Sequence, residues 1–173
     1  ALAGTANGKD TTFSGSGSEF DFRSNTVGTG TFSGTVTQKQ RIQATSSTGS
    51  TVNLVYNSDY EQAVTAAEIA GSYTLSGRTA RYSIPAMTFN IDATGNFTIV
   101  DSSCTTTGTA TPRASGKAIV NVSATGTGNC ILGNGVALNG IAVFDKKTMS
   151  PTLMFIALNS TKTDGLVLIG QKN

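Results

Sequence analysis

The chain has 173 residues, carries 12 Lys plus Arg against 10 Asp plus Glu for a net charge of +2, and contains no His. That length suits one domain with a self-sufficient core. The small net charge gives no footprint for nucleic acid, and the lack of histidine excludes a Ser-His-Asp triad and removes the commonest metal ligand. Charged residues are 13% of the chain, against about 25% in a typical soluble domain. Small hydroxyls take their place, with 18 Ser and 28 Thr. Low charge with clear apolar alternation argues against disorder.

Residues 1–10, ALAGTANGKD, are small and polar and read as a flexible lead, as the start of a processed chain would. Residues 11–173 read as a single all-β domain. Three weaker strands are expected first, in EFDFRS (19–24), GTGTFSGTVTQKQRIQ (28–43) and TVNLVYN (51–57). On a strand, Lys39 and Arg41 would share one face of QKQRIQ (38–43). That face reads as solvated and as a guard against edge pairing, and no aromatic interleaves with it for base stacking.

SDYEQ (58–62) then places Tyr60 between Asp59 and Glu61 in an irregular stretch. Exposed tyrosine is a frequent contact residue, so this is the candidate contact loop; the alternative has Tyr60 packing under the turn that follows. That turn is TAAEIAG (65–71), where Thr65 and Glu68 have capping-box spacing and Gly71 can end a helix. One short helix near 65–70 is expected, closing one end of a β-structure.

Strands resume at GSYTLSG (71–77) and ARYSIP (80–85). MTFNID (87–92) alternates Met87, Phe89 and Ile91 against polar residues, turns at ATGN, and returns in FTIVD (97–101), a hairpin signal. CTTTGTATP (104–112), a turn at RASGK and AIVNVSA (118–124) form another. GIAVFD (140–145), PTLMFIALN (151–159) and GLVLIGQ (165–171) follow. The last two are apolar on both faces and are expected to be buried on both sides or to lie under another layer. About ten short antiparallel strands imply a barrel or barrel-like sandwich, and the pattern leaves that choice open. No apolar stretch is long enough for a transmembrane helix. Aromatics are 7% with no Trp, too few for the girdles of a membrane barrel.

The RASGK hairpin brings residues near 104 opposite residues near 125, so Cys104 and Cys130 can meet if TGTGN folds back. In an exported chain such a pair reads as a disulfide; two buried free thiols are the alternative. Two thiolates without histidine do not make a zinc site, and no cofactor is expected. Carboxylate pairs that could hydrolyse a glycoside are Glu19 with Asp21, Asp59 with Glu61, and Asp92 with Asp101. Each lies at a turn or strand end, where acids ordinarily face water. SGSGS and TGTGN lack the lysine and helix of a phosphate loop, and DATGN is a hairpin turn before it is a calcium loop.

In order, TFSGTVTQKQ, YNSDYEQAVTAAEIAGSYTLSG, IDATGNFTIVDSSCTTTGTATPRASGK, LNGIAVFD and ALNSTKTDGLVLIGQK resemble a family of uncharacterised Gram-negative envelope proteins, taken to be lipoproteins. The resemblance runs from about residue 10 to the end. It implies an all-β fold and an exported location, in the periplasm, outer membrane or at the cell surface, and it transfers no active site. Cys104 and Cys130 match two cysteines of that family. Its members begin with an export signal and a lipid-attachment cysteine, so a lipid anchor would belong to the full-length precursor. The reading is an exported, non-enzymatic binding or interaction module, a surface antigen being one form of it. It is expected to act as a monomer on a protein or glycan partner. The alternatives are a carrier of a small apolar ligand in a lipocalin-like barrel, and a carboxylate-dependent glycan hydrolase.

Overall fold

The computed structural model describes residues 2–21, 26–101, 103–147 and 149–173. It is all-β with antiparallel pairing throughout, and it divides into two compact units, Ala1–Ser58 and Asp59–Asn173. The expectation of a flexible lead and one domain over 11–173 therefore differs from the fold in two respects. The chain divides after Ser58, and Leu2–Lys9 is a strand paired residue by residue with its neighbour.

The first unit is a five-stranded meander in sequence order: β1 (Leu2–Lys9), β2 (Thr12–Asp21), β3 (Thr26–Thr37), β4 (Arg41–Ser46) and β5 (Thr51–Val55). The long expected strand over 28–43 is two strands, because Gln38–Gln40 turn and the Gln40 N–H bonds the Thr37 carbonyl at 3.0 Å. Lys39 thus lies in the turn, at φ 53°, and not on a strand face beside Arg41. The last residues of the expected strand EFDFRS, from Phe22 on, lie outside the described residues. Alternation gives this sheet two unlike faces. One carries Ser, Thr, Asn and Gln. The other carries glycine and alanine with two phenylalanines and, toward β5, Val36, Ile42, Val52 and Leu54. A Cβ on Gly15 would fall 2.7 Å from the Phe32 ring, and one on Gly34 would fall 2.9 Å from the Phe13 ring. Each ring covers a glycine across the ladder, which gives these glycine-rich strands the packing their own side chains lack.

The second unit is an eight-stranded closed barrel. Its strands are β6 (Gly71–Thr79), β7 (Ser83–Ile91), β8 (Asn96–Asp101), β9 (Cys104–Pro112), β10 (Ile119–Gly128), β11 (Ala137–Asp145), β12 (Thr152–Asn159) and β13 (Gly165–Lys172). Neighbours in sequence pair around the wall, and β13 closes on β6 through Leu166↔Thr79 to Lys172↔Tyr73. Pro85 falls where the β6–β7 register shifts, beyond Leu75↔Met87. Such an irregularity is where a strand tolerates a residue without an N–H. The core is the inward set: Tyr73, Leu75, Phe89, Val120 and Leu153 are fully buried. Phe89 packs against Phe97, Phe155 and Tyr73, with ring centroids at 4.8, 5.2 and 6.2 Å. Side chains thus occupy the barrel interior, which favours the filled-core version of this fold over the hollow one.

The doubly apolar strands do not match their expectation. Their inner residues Leu153, Phe155 and Leu168 are buried, but on the outer wall Met154 is 40% and Ile169 is 49% exposed.

Candidate functional site

The barrel end near Val64 and Ile69, both buried, is closed by a one-turn helix α1 (Ala66–Ile69). The capping box expected there is complete: the Glu68 N–H donates to Thr65 Oγ1 at 3.2 Å, and the Thr65 N–H donates to Glu68 Oε2 at 2.8 Å. A single turn leaves its last carbonyls without helical partners. Here the barrel supplies them. The Tyr73 hydroxyl donates to the Ile69 carbonyl at 2.6 Å, and Lys172 Nζ donates to the Glu68 carbonyl at 3.0 Å. Burial pushes the Tyr73 phenol up to about 12. The Lys146 ammonium, 3.0 Å from Glu68 Oε1, and the Thr65 N–H and hydroxyl hold the Glu68 carboxyl below its usual range.

The candidate contact loop precedes this helix as a 3-10 turn, Ser58–Glu61. Its acids are engaged: Asp59 pairs with Lys147, and Glu61 pairs with Lys117. The Ala118 N–H donates to the Tyr60 carbonyl at 2.9 Å, and Lys117 Nζ stands 5.5 Å from the centroid of the Tyr60 ring. Tyr60 is 46% exposed, so the ring is held on the surface rather than packed beneath α1. The loop is a fastened arch that presents one aromatic face.

Asp92 and Asp101 do not assemble. Asp92 lies in the β7–β8 turn and Asp101 ends β8, so the strand holds them roughly 17 Å apart. Glycosidase carboxylates need about 5–9.5 Å. Asp92 instead accepts from the Thr94 hydroxyl and N–H and the Asn96 N–H at 2.7, 2.8 and 2.9 Å. These bonds, the Thr94 hydroxyl foremost, hold its carboxyl down at about 2. DATGN is the hairpin turn its sequence implies. Glu19 and Asp21 both lie on β2, in the first unit, and the side chains of this pair are outside the described residues. Among the described residues no group of three potential metal ligands converges.

Cys104 and Cys130 are disulfide-bonded with Cα atoms 4.8 Å apart. β9 and β10 run in register to Cys104↔Gly128, and the bridge fastens the segment beyond. Gly126 leaves the space the sulfur needs, since a Cβ there would fall 2.9 Å from Cys130 Sγ.

The feature that sequence reasoning missed is on the first unit's polar face. Two cross-strand rows face the same way: Asn7–Ser14–Ser33–Thr45 and Thr5–Ser16–Thr31. Ser47 extends the second row, its Oγ accepting from the Thr31 N–H at 3.1 Å. Between the rows, Phe32 and Ser46 point their side chains to the other face and Gly15 has none, so backbone forms the floor. The result is a groove of about 540 Å³ lined by serine, threonine and asparagine with Gly15 and Phe32, all neutral. It crosses four strands and so runs about 14 Å. TFSGSGS, where serine recurs at every second position on a strand, shows one strand's share of it but not the register that assembles the rest.

No family model matches this chain, and no curated protein does.

Proposed function

We propose that the protein is an exported, non-enzymatic binding module whose ligand is a neutral glycan, taken up by the hydroxyl groove of the five-stranded sheet. The observation that carries this reading is the lining itself. It is made of serine, threonine and asparagine together with Gly15 and Phe32, whose ring turns to the other face, and no charge is among them. Hydroxyls and amides both donate and accept, which suits a ligand made of hydroxyls, and an ionic ligand would find no counter-charge. The volume lies within the usual range of ligand sites, about 300–1,000 Å³. Each hydrogen bond exchanged with water contributes only about 0.5–1.5 kcal/mol. With no aromatic platform among the lining hydroxyls, single-site affinity falls near the mM range, and useful avidity comes from several copies on one surface.

Export is supported by the Cys104–Cys130 bridge, since structural disulfides persist in oxidising compartments. The resemblance to envelope proteins agrees with it. The arch at Tyr60 is a second surface suited to a protein partner.

The test uses neutral oligosaccharides and their uronic-acid counterparts, with wild type and a Ser33→Ala/Thr45→Val variant. Both positions are exposed, and the changes keep strand-compatible shapes. Binding of neutral sugars that weakens at least tenfold in the variant, with unchanged melting, supports the reading. Equal binding by both proteins, or preference for the acidic sugars, overturns it.

A further inference from the structure

One end of the five-stranded sheet combines positive charge with exposed aliphatic side chains. The β1–β2 turn and the β3–β4 turn lie together there, tied by the Val36 N–H on the Thr11 carbonyl at 2.8 Å. The edge strand β5 ends beside them, its Leu54 opposite Ile42, which is opposite Val36. Leu54 is 55% and Val55 is 79% exposed. Val36, Ile42, Leu54 and Val55 line a groove of about 150 Å³ together with Lys39 and Arg41. Lys9 ends β1 and Asp10 opens the adjoining turn, so this end carries three cations against one acid.

An edge strand that exposes aliphatic residues is a liability unless something covers them. The groove is smaller than the sites that hold compact ligands. The end of a sheet built from two turns and one short strand does not offer the roughly 800 Å² that a stable protein partner buries. Adsorption to a bilayer needs no such matched area. It adds apolar insertion to headgroup attraction, with long basic side chains reaching the headgroups while shorter apolar ones pass below them. Lys39 keeps a long cationic side chain at a positive φ, where glycine would be unstrained.

We propose that this end of the sheet, through Leu54, Val55, Ile42 and Val36 ringed by Lys9, Lys39 and Arg41, docks on a membrane surface rich in anionic lipid. This goes beyond glycan binding and does not depend on it.

The experiment is co-sedimentation of the intact protein with vesicles of phosphatidylcholine alone and of equal parts phosphatidylcholine and phosphatidylglycerol. Each cation near an anionic surface contributes a factor of about five. Wild type is therefore expected to prefer the anionic vesicles by on the order of a hundredfold at low salt, and to lose that preference at high salt. Lys39→Glu/Arg41→Glu lowers binding at least tenfold, and Leu54→Ser/Val55→Ser lowers it several-fold. The chain has no tryptophan. Val55→Trp therefore reports insertion directly, as a blue shift on anionic vesicles that a brominated lipid quenches, whether or not the double variants fold. Equal binding to both vesicles, binding that survives either folded double variant, no blue shift, or binding to soluble polyglutamate in place of vesicles overturns the proposal.

Discussion

Breaking the Cys104–Cys130 bridge tests how the barrel is held. The bridge joins residues 26 apart in sequence. Its effect falls mainly on the unfolded chain, whose loop it closes; the chain-entropy relation for that length gives about 3.5 kcal/mol. The folded state loses little directly. Asn129 still donates to the Ser103 carbonyl at 2.8 Å, Gly135 to the Gly126 carbonyl at 2.7 Å, and Gly128 to Asn134 Oδ1 at 3.0 Å. A Cys104→Ser/Cys130→Ser variant should therefore fold at room temperature with an unchanged β-rich circular dichroism spectrum. Its barrel transition in calorimetry should drop by on the order of 10 °C. Reduction of the wild type should reproduce the shift, and the five-stranded sheet, which contains no cysteine, should show none of it. A loss below about 1 kcal/mol, or two thiols that label in native unreduced protein, would refute this reasoning.

Tyr73→Phe removes the hydroxyl that satisfies a helix-end carbonyl and should cost about 1–3 kcal/mol in urea unfolding. Because the phenol is raised from 10.0 to about 12, its contribution is fully present below about pH 10 and is lost as pH rises through about 12. A stability titration in alkali should show that fall in wild type and lack it in Tyr73→Phe. In acid the sign reverses: Asp92, lowered from 3.8 to about 2, contributes stability that is present above about pH 4 and lost as pH falls through about 2. Asp92→Ala should flatten that part of the acid profile. Phe89→Ala, at the centre of three ring contacts, should destabilise the barrel by about 3–5 kcal/mol in denaturant melts.

The legible parts of this fold are those where local chemistry and tertiary structure agree. Thr65 and Glu68 cap the single helical turn from four consecutive residues, and Asp92 with Thr94 and Asn96 folds its turn from five. Met87, Phe89 and Ile91 alternate because one side of β7 meets a core. The N-terminal strand was not legible. Glycine, alanine and asparagine carry little strand preference, and Leu2–Lys9 becomes a strand because β2 offers it a complete ladder. The turn at Lys39 was hidden because a lysine, not a glycine, takes the positive φ. Barrel closure was also out of reach, since it rests on β13 meeting β6 across most of the unit. The hydroxyl groove escaped for a different reason. Its members come from four strands whose register no single segment encodes, while Tyr60, one residue in one loop, could be picked out from its neighbours alone.

The most direct test of the account is a backbone chemical-shift map of the protein titrated with a neutral oligosaccharide. Shifts that cluster at Thr5, Asn7, Ser14, Ser16, Thr31, Ser33 and Thr45, and leave the barrel signals in place, are the predicted result. Saturable shifts confined to the barrel, or no saturable shift with any neutral sugar that the protein captures, would contradict it.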